Sequence, residues 1–241
     1  MTLNYTWRSC AETHRGAVRK VNEDSVLDRP EVGLWTVADG MGGHEAGDVA
    51  SQMLVRTLSG TTQHLKLSQF VNQAEDLIHS VHDNILERSE SEYGGRTMGC
   101  TVVTLLVHEN VGVCLWAGDS RLYRKRRGHL QMISSDHSQV NEMVGRGLIS
   151  EEEAENHPAS NVITRAVGAT PDLHLDATVF DIKRGDTFLL CSDGLYGELG
   201  MSEIDAYLRG DEVDRVAGEL IQAALKRGAK DNVSVIVVKA L

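Results

Sequence analysis

The stretch 101–134, TVVTLLVHENVGVCLWAGDSRLYRKRRGHLQMIS, decides how the rest of the chain is read. It divides into TVVTLLV, VGVCLWAG, SRLYRK and HLQMIS, short runs rich in β-branched residues. Between them stand Glu109-Asn110, Gly118-Asp119 and Arg127-Gly128, pairs that turn a chain. Runs this short with turns this tight predict a meander of four antiparallel strands.

On the N-terminal side the period changes to that of helices. Residues 45–63 carry Ala46, Val49, Ala50, Met53, Leu54 and Leu58, and residues 69–89 carry Phe70, Ala74, Leu77, Ile78, Val81 and Ile85. A short apolar run, GLWTVA at 33–38, precedes them and stops at Asp39. On the C-terminal side, 137–168 is polar and mixed, which predicts an irregular, partly helical insertion over the surface. Strand signals return at 175–181 and 186–192, helical signals at 202–209 and 211–227, and SVIVVKA closes the chain. Strands in runs and helices in pairs, without regular βαβ alternation, predict an α+β fold with two packed antiparallel sheets and helices outside. A single domain over 1–241 is expected, long enough to bury roughly 70–75% of its unfolded surface.

The net charge of -11 argues against nonspecific binding to nucleic acid or an anionic membrane, both of which need clustered Lys and Arg. Bound divalent cations would cancel several of these charges. Cys10, Cys100, Cys114 and Cys191 have no C-x-x-C spacing, and three lie inside apolar strand runs, as reduced buried thiols do. No apolar segment approaches the ~20 residues of a membrane span, and the N-terminus lacks a leader pattern. A soluble, cytoplasmic monomer is expected.

The carboxylates fall in a pattern. Asp39 ends LWTVA, Asp119 follows VCLWAG, Asp193 follows FLLCS, and Asp231 with Asn232 precedes SVIVV. Strand ends are rigid platforms where side chains from distant parts of a chain converge. Converging carboxylates stay ionised together only around a cation, and oxygen ligands without a matching His or Cys set favour Mg²⁺ or Mn²⁺ over zinc. Asp39-Gly40-Met41-Gly42-Gly43-His44 lacks the G-K-S/T of a nucleotide loop, and a backbone approaching a metal explains both its glycines and its Asp. In Arg19-Lys20-Val21-Asn22-Glu23-Asp24 an extended chain would turn Glu23 to one face and Asn22 and Asp24 to the other. Arg19 could there fork onto a phosphate.

These motifs, in order, resemble the metal-dependent protein phosphatases, the type 2C serine/threonine phosphatases, in their short bacterial form. The matching segments are GAVRKVNED (16–24), VADGMGGH (37–44), MGCTVV (98–103), WAGDSR (116–121), SDHS (135–138), NVITRAVG (161–168), CSDGL (191–195) and DNVSVI (231–236). The resemblance implies a central sandwich of two antiparallel sheets flanked by helix pairs, with 137–168 as a flap beside the active site. It implies two core Mn²⁺ or Mg²⁺ ions: Asp39 bridging them, Glu23 and the Gly40 carbonyl on one, Asp193 and Asp231 on the other. Asp119, with Asp193, matches the position of a third, weaker ion. Arg19 matches the phosphate-binding arginine, and Asp24 and Asn232 a supporting shell that orients metal-bound water. The implied reaction is hydrolysis of phosphoserine and phosphothreonine in proteins by a bridging water activated between the metals, opposing a bacterial serine/threonine kinase.

The chain departs from the eukaryotic form at Met41, where that form has a histidine. His44 is then the candidate general acid. His137 and His157 read as structural, Cys191 as core, and Arg124 to Arg127 as a solvated hairpin tip. Two other readings are an inactive phosphoprotein-binding module, which would have replaced metal ligands, and a dual-metal hydrolase of small phosphate esters.

Overall fold

The computed structural model describes residues 5–42, 46–62, 66–155, 157–159 and 161–241. In chain order the elements are β1 (Trp7–His14), β2 (Asp24–Arg29), β3 (Leu34–Gly42), α1 (Ala46–Leu58), α2 (Leu67–Tyr93), β4 (Met98–Cys100), β5 (Val102–His108), β6 (Val111–Ala117), β7 (Arg121–Arg126) and β8 (His129–Met132). They continue with α3 (Gln139–Gly145), α4 (Glu151–Glu155), β9 (Asp176–Asp181), β10 (Thr187–Cys191), α5 (Asp193–Tyr196), α6 (Met201–Tyr207), α7 (Val213–Lys226) and β11 (Val233–Ala240).

Alternation along the buried strands generates the layers. In β11, Val233, Val235 and Val237 face α5, α6 and α7, while Ile236 and Val238 face the opposite sheet. In β5, Val102 and Leu106 pack toward α1 and α2, and Val103, Leu105 and Val107 point inward. A strand covered on both faces reads as a continuous apolar run, which is why these two were visible in the sequence. One sheet has the order β1-β11-β10-β7-β8, the other β2-β3-β5-β6-β9, with β4 paired to β3 beyond β5. The pairings are antiparallel, and Trp35, Trp116 and Phe188 fill the space between the sheets. The result is helices, sheet, sheet, helices.

The four-stranded meander expected over 101–134 is instead two hairpins in different sheets. β5 pairs β6, β7 pairs β8, and β6 does not pair β7. The chain changes sheet at Gly118, whose φ of 112° is open to glycine, and a Cβ there would strike Thr101. Asp39 is also not at a strand end. β3 continues to Gly42 by exchanging β5 for β4, and the apolar run stops only because side chains begin to face a cavity. Arg124 to Arg126 belong to β7 rather than to a hairpin tip, which is Arg127-Gly128. Arg126 pairs with Asp181 and Asp186, and Lys125, 8% exposed, with Asp205. β1 and β2 coincide with no apolar run, since each is a half-exposed strand at the edge of its sheet. All four cysteines are free, and no described helix is long and apolar enough to cross a membrane.

Candidate active site

A cavity of about 240 Å³ opens where the two sheets meet, lined by Arg19, Glu23, Asp39, Gly40, Met41, Asp119, Asp193 and Asp231, with Asn161 and Ile163 from the 137–168 insertion. Five carboxylates from five separate parts of the chain therefore share one space.

Each is held by backbone. The Asp39 N–H donates to Thr101 Oγ1 (3.0 Å), and the Thr101 N–H donates to the Asp39 carbonyl (2.8 Å). Thr101 Oγ1 also meets Ser120 Oγ at 2.7 Å, tying β3 to the segment that bears Asp119. The Gly40 N–H donates to the Glu23 carbonyl (3.1 Å), and a Cβ on Gly40 would run into the carbonyl oxygens of Gly47 and Glu23. The Glu23 carbonyl accepts Ser51 Oγ–H (2.6 Å), and its carboxylate accepts the Gly47 N–H in the first turn of α1. Asp193 opens α5, and Asp231 stands two residues before β11.

Asn232 is placed differently from a water-orienting group. Its Oδ1 accepts the Glu23 N–H (2.8 Å), and its Nδ2 donates to the carbonyls of Arg15 and Val21 (both 3.0 Å). The buried amide is spent on the backbone of the loop that carries Arg19 and Glu23, so it anchors that loop. Asp24 and Asn22 both reach side chains of the other sheet, while Glu23, just before β2, lines the cavity. Asp24 Oδ2 accepts Ser192 Oγ–H (2.8 Å) and Ser234 Oγ–H (2.7 Å) across the seam, and Asn22 Nδ2 donates to Thr13 Oγ1 (2.8 Å). Arg19 Nη2 donates to Asp231 Oδ2 at 2.6 Å, with both side chains partly exposed. His44 lies outside the described residues, and Met41 brings a thioether to the cavity wall.

The electrostatics are those of carboxylates crowded together. Burial first, then Asp24, Asp193, Asp119 and Asp231, push the Asp39 carboxyl well above its ordinary range. Burial raises Asp24 to about 7, Asp119 to about 7 and Asp193 to about 6, and it raises Glu23 as well. Asp39 lies within hydrogen-bonding reach of Asp193. Asp24 Oδ1 and Asp193 Oδ1 are buried and have no hydrogen-bond partner.

Among the described residues, no three His, Cys, Asp or Glu side chains already close around one point as a finished metal shell. The donor set nevertheless fits hard divalent cations. It is all oxygen, it holds an orphaned buried carboxylate oxygen, and its mutual repulsion is relieved by a cation or by protons.

Thr101 escaped the sequence reading of this site, whereas His137, His157 and Cys191 hold structure, as the sequence suggests. Thr101 lies in MGCTVV but reads there as one more β-branched strand residue. His137 accepts the Gly118 N–H at Nδ1 (3.2 Å), donates its own N–H to the Gly118 carbonyl (2.9 Å), and stacks on Trp116. His157 stays local, its Nδ1 accepting the Ala159 N–H (3.1 Å). Cys191 is fully buried in the core beside α5.

The protein phosphatase 2C family profile matches residues 13–234. The serine/threonine phosphatase stp of Listeria monocytogenes is 36% identical over 235 residues, covering 94% of this chain and 93% of that protein. The structure described as "PppA, a key regulatory component of T6SS in Pseudomonas aeruginosa" superposes with a TM-score of 0.91 at 41% identity, covering 99% of this chain and all of that one. The catalytic domain of the serine/threonine protein phosphatase PstP, solved in complex with two manganese ions, superposes with a TM-score of 0.89 at 33% identity, over 99% and 100% of the two chains. An αββα sandwich with oxygen ligands at its seam, matched along nearly its whole length, identifies the chain as a member of the protein phosphatase 2C family.

Proposed function

We infer that this chain hydrolyses phosphoserine and phosphothreonine in proteins, using Mn²⁺ or Mg²⁺. The observation that carries the reading is the set Glu23, Asp39, Asp193 and Asp231 around one cavity, with family membership over the whole chain. Asp39 would bridge two ions, with Glu23 and the Gly40 carbonyl on one side and Asp193 and Asp231 on the other. When bound, such ions neutralise the phosphate and activate the attacking water. Arg19 is the cation free to trade a carboxylate for a phosphate: its hold on Asp231 is partly exposed, and the exchange requires only a side-chain swing. Asp119 with Asp193 would take a third, weaker ion. Asp24, with one oxygen on two serines and the other unpartnered, is suited to orient a water. Asn161 and Ile163 bring the insertion to the cavity wall, which supports its reading as a flap that selects substrates. His44 is proposed as the general acid.

The natural substrates are phosphorylated proteins, a serine/threonine kinase and its targets among them, since each phosphate removed is one that a kinase attached. Four free thiols support a cytoplasmic location. Exposed large apolar side chains are scattered, from Val18 to Leu148 to Met201, which supports a monomer of one domain.

Mn²⁺-dependent release of phosphate from a phosphothreonine protein tests the reading. Wild type should be active and silenced by chelator, and Asp39→Asn should lose at least about 100-fold. Equal activity in the two proteins, or indifference to chelator, would sink it. Faster turnover of a bis-aryl phosphodiester than of a phosphothreonine peptide would point to a small-ester hydrolase instead.

A further inference from the structure

We propose that Tyr196, braced by Arg121 and Asp136, is a positioning residue that sets the spacing of the Asp119 and Asp193 carboxylates and so tunes the weaker third cation site. The proposal rests on the metal reading given above. Its basis is a closed ring of contacts behind the cavity wall, none of whose side chains lines the cavity itself.

Asp193 and Tyr196 are the first and last residues of α5, so one helical turn fixes their separation. From that turn, the Tyr196 hydroxyl donates to the backbone carbonyl of Asp119 at 3.0 Å. A single side chain therefore spans from the helix that begins at one carboxylate to the residue that bears the other. The phenol cannot swing away freely, because the Arg121 guanidinium lies over its ring, 3.5 Å from the centroid. Arg121 in turn forks onto Asp136 through Nε (2.9 and 3.1 Å) and Nη2 (2.6 Å), and its Nη1 donates to the Tyr123 hydroxyl (3.0 Å). Arg121 and Asp136 are 24% and 11% exposed, so water competes little for this pair.

The next residue in sequence closes the ring. His137 holds Gly118 in both directions, as donor to its carbonyl and acceptor from its N–H. Asp119 is thus gripped on its N-terminal side by His137 and at its own carbonyl by Tyr196. Two like charges brought this close push apart, and a loop carrying one of them would open unless something rigid opposed it. The ring supplies that resistance. A cation then meets a spacing already made, and less of its binding free energy goes into ordering the loop.

Calorimetric titration with MnCl₂ alone, and turnover of a phosphothreonine peptide against Mn²⁺ concentration, test this. Tyr196→Phe keeps the ring and the Arg121 stack while deleting one hydrogen bond. The two tight binding events should be unchanged, and the dissociation constant of the weakest event should rise about three- to tenfold. The Mn²⁺ concentration for half-maximal turnover should rise in step, with KM for the peptide unaltered. In an Asp119→Ala background Tyr196→Phe should add nothing, because the two changes act on one site. An unaltered weak constant in Tyr196→Phe overturns the proposal, as does an equal loss of turnover with and without Asp119, which is what a merely structural tyrosine would give. A wild type that binds two ions with no weaker third event overturns it too. If wild type takes up no Mn²⁺ at all, the metal reading itself fails. Should Tyr196→Phe not fold, Asp136→Asn, which loosens the fork on Arg121, must raise the weak constant or the proposal falls.

Discussion

At the scale of single residues, the site depends on short polar side chains that hold backbone rather than substrate. Thr101 is the plainest case: one hydroxyl serves the Asp39 N–H and the Ser120 hydroxyl, at 3% exposure. Thr101→Val preserves shape and deletes both bonds. Leaving a buried N–H unpaired costs about 1–3 kcal/mol, so thermal unfolding should fall by that amount and Mn²⁺-dependent turnover by roughly tenfold. Unchanged turnover would mean that β3 positions Asp39 unaided. The candidate ligands were legible in the sequence because carboxylate chemistry resides in the residue type and four of them recur beside Gly or Asn. The supports were not. What Asn232 and Thr101 do depends on which carbonyl or N–H the folded chain brings beside them, and no spacing encodes that.

Elements carry the next set of consequences. α7 packs Val216, Leu220 and Ala224 against the outer face of β11 and its neighbour β1, and Leu220 is fully buried. Leu220→Ala should cost about 2–5 kcal/mol in chemical denaturation without altering metal-dependent specific activity of the folded fraction. Such buried faces were legible, since a 3.6-residue period needs only a partner surface. The sheet to which a strand belongs was not: β6 and β7 look like neighbours in a hairpin until Gly118 redirects the chain. That redirection leans on His137, whose ring faces Trp116, Asp176 and Arg165. Burial holds its imidazole below the ordinary value, and the Gly118 N–H donating to Nδ1 requires that nitrogen bare. The fold thus favours the neutral ring. As pH falls below about 6.5 the unfolded chain takes up the proton first, so stability present above that pH is lost toward the lower folded-state value. Melting temperature from pH 7.5 to 5.5 should drop more steeply in wild type than in His137→Gln. Parallel slopes would remove His137 from the account.

For the whole molecule, the informative fact is that the cavity lies on the seam. Glu23 and Asp39 come from the β2-β3 sheet or the loop entering it, while Asp193 and Asp231 flank β10 and β11 of the other. Asp24 already crosses that seam to Ser192 and Ser234. An ion shared by these carboxylates would therefore add to the hydrogen bonds by which Asp24 and Asn232 already join the two halves of the sandwich at this end. The effect should be readable amide by amide. Deuterium uptake in the absence of substrate should slow on adding Mn²⁺, and it should slow together at 37–42 and 231–236, which are distant in sequence and belong to different sheets. Slowing confined to one sheet would mean that no ion spans the seam. Joint slowing would make the cation a rivet as well as a reagent, and a cell short of manganese would then lose this protein to proteolysis as well as to inactivity.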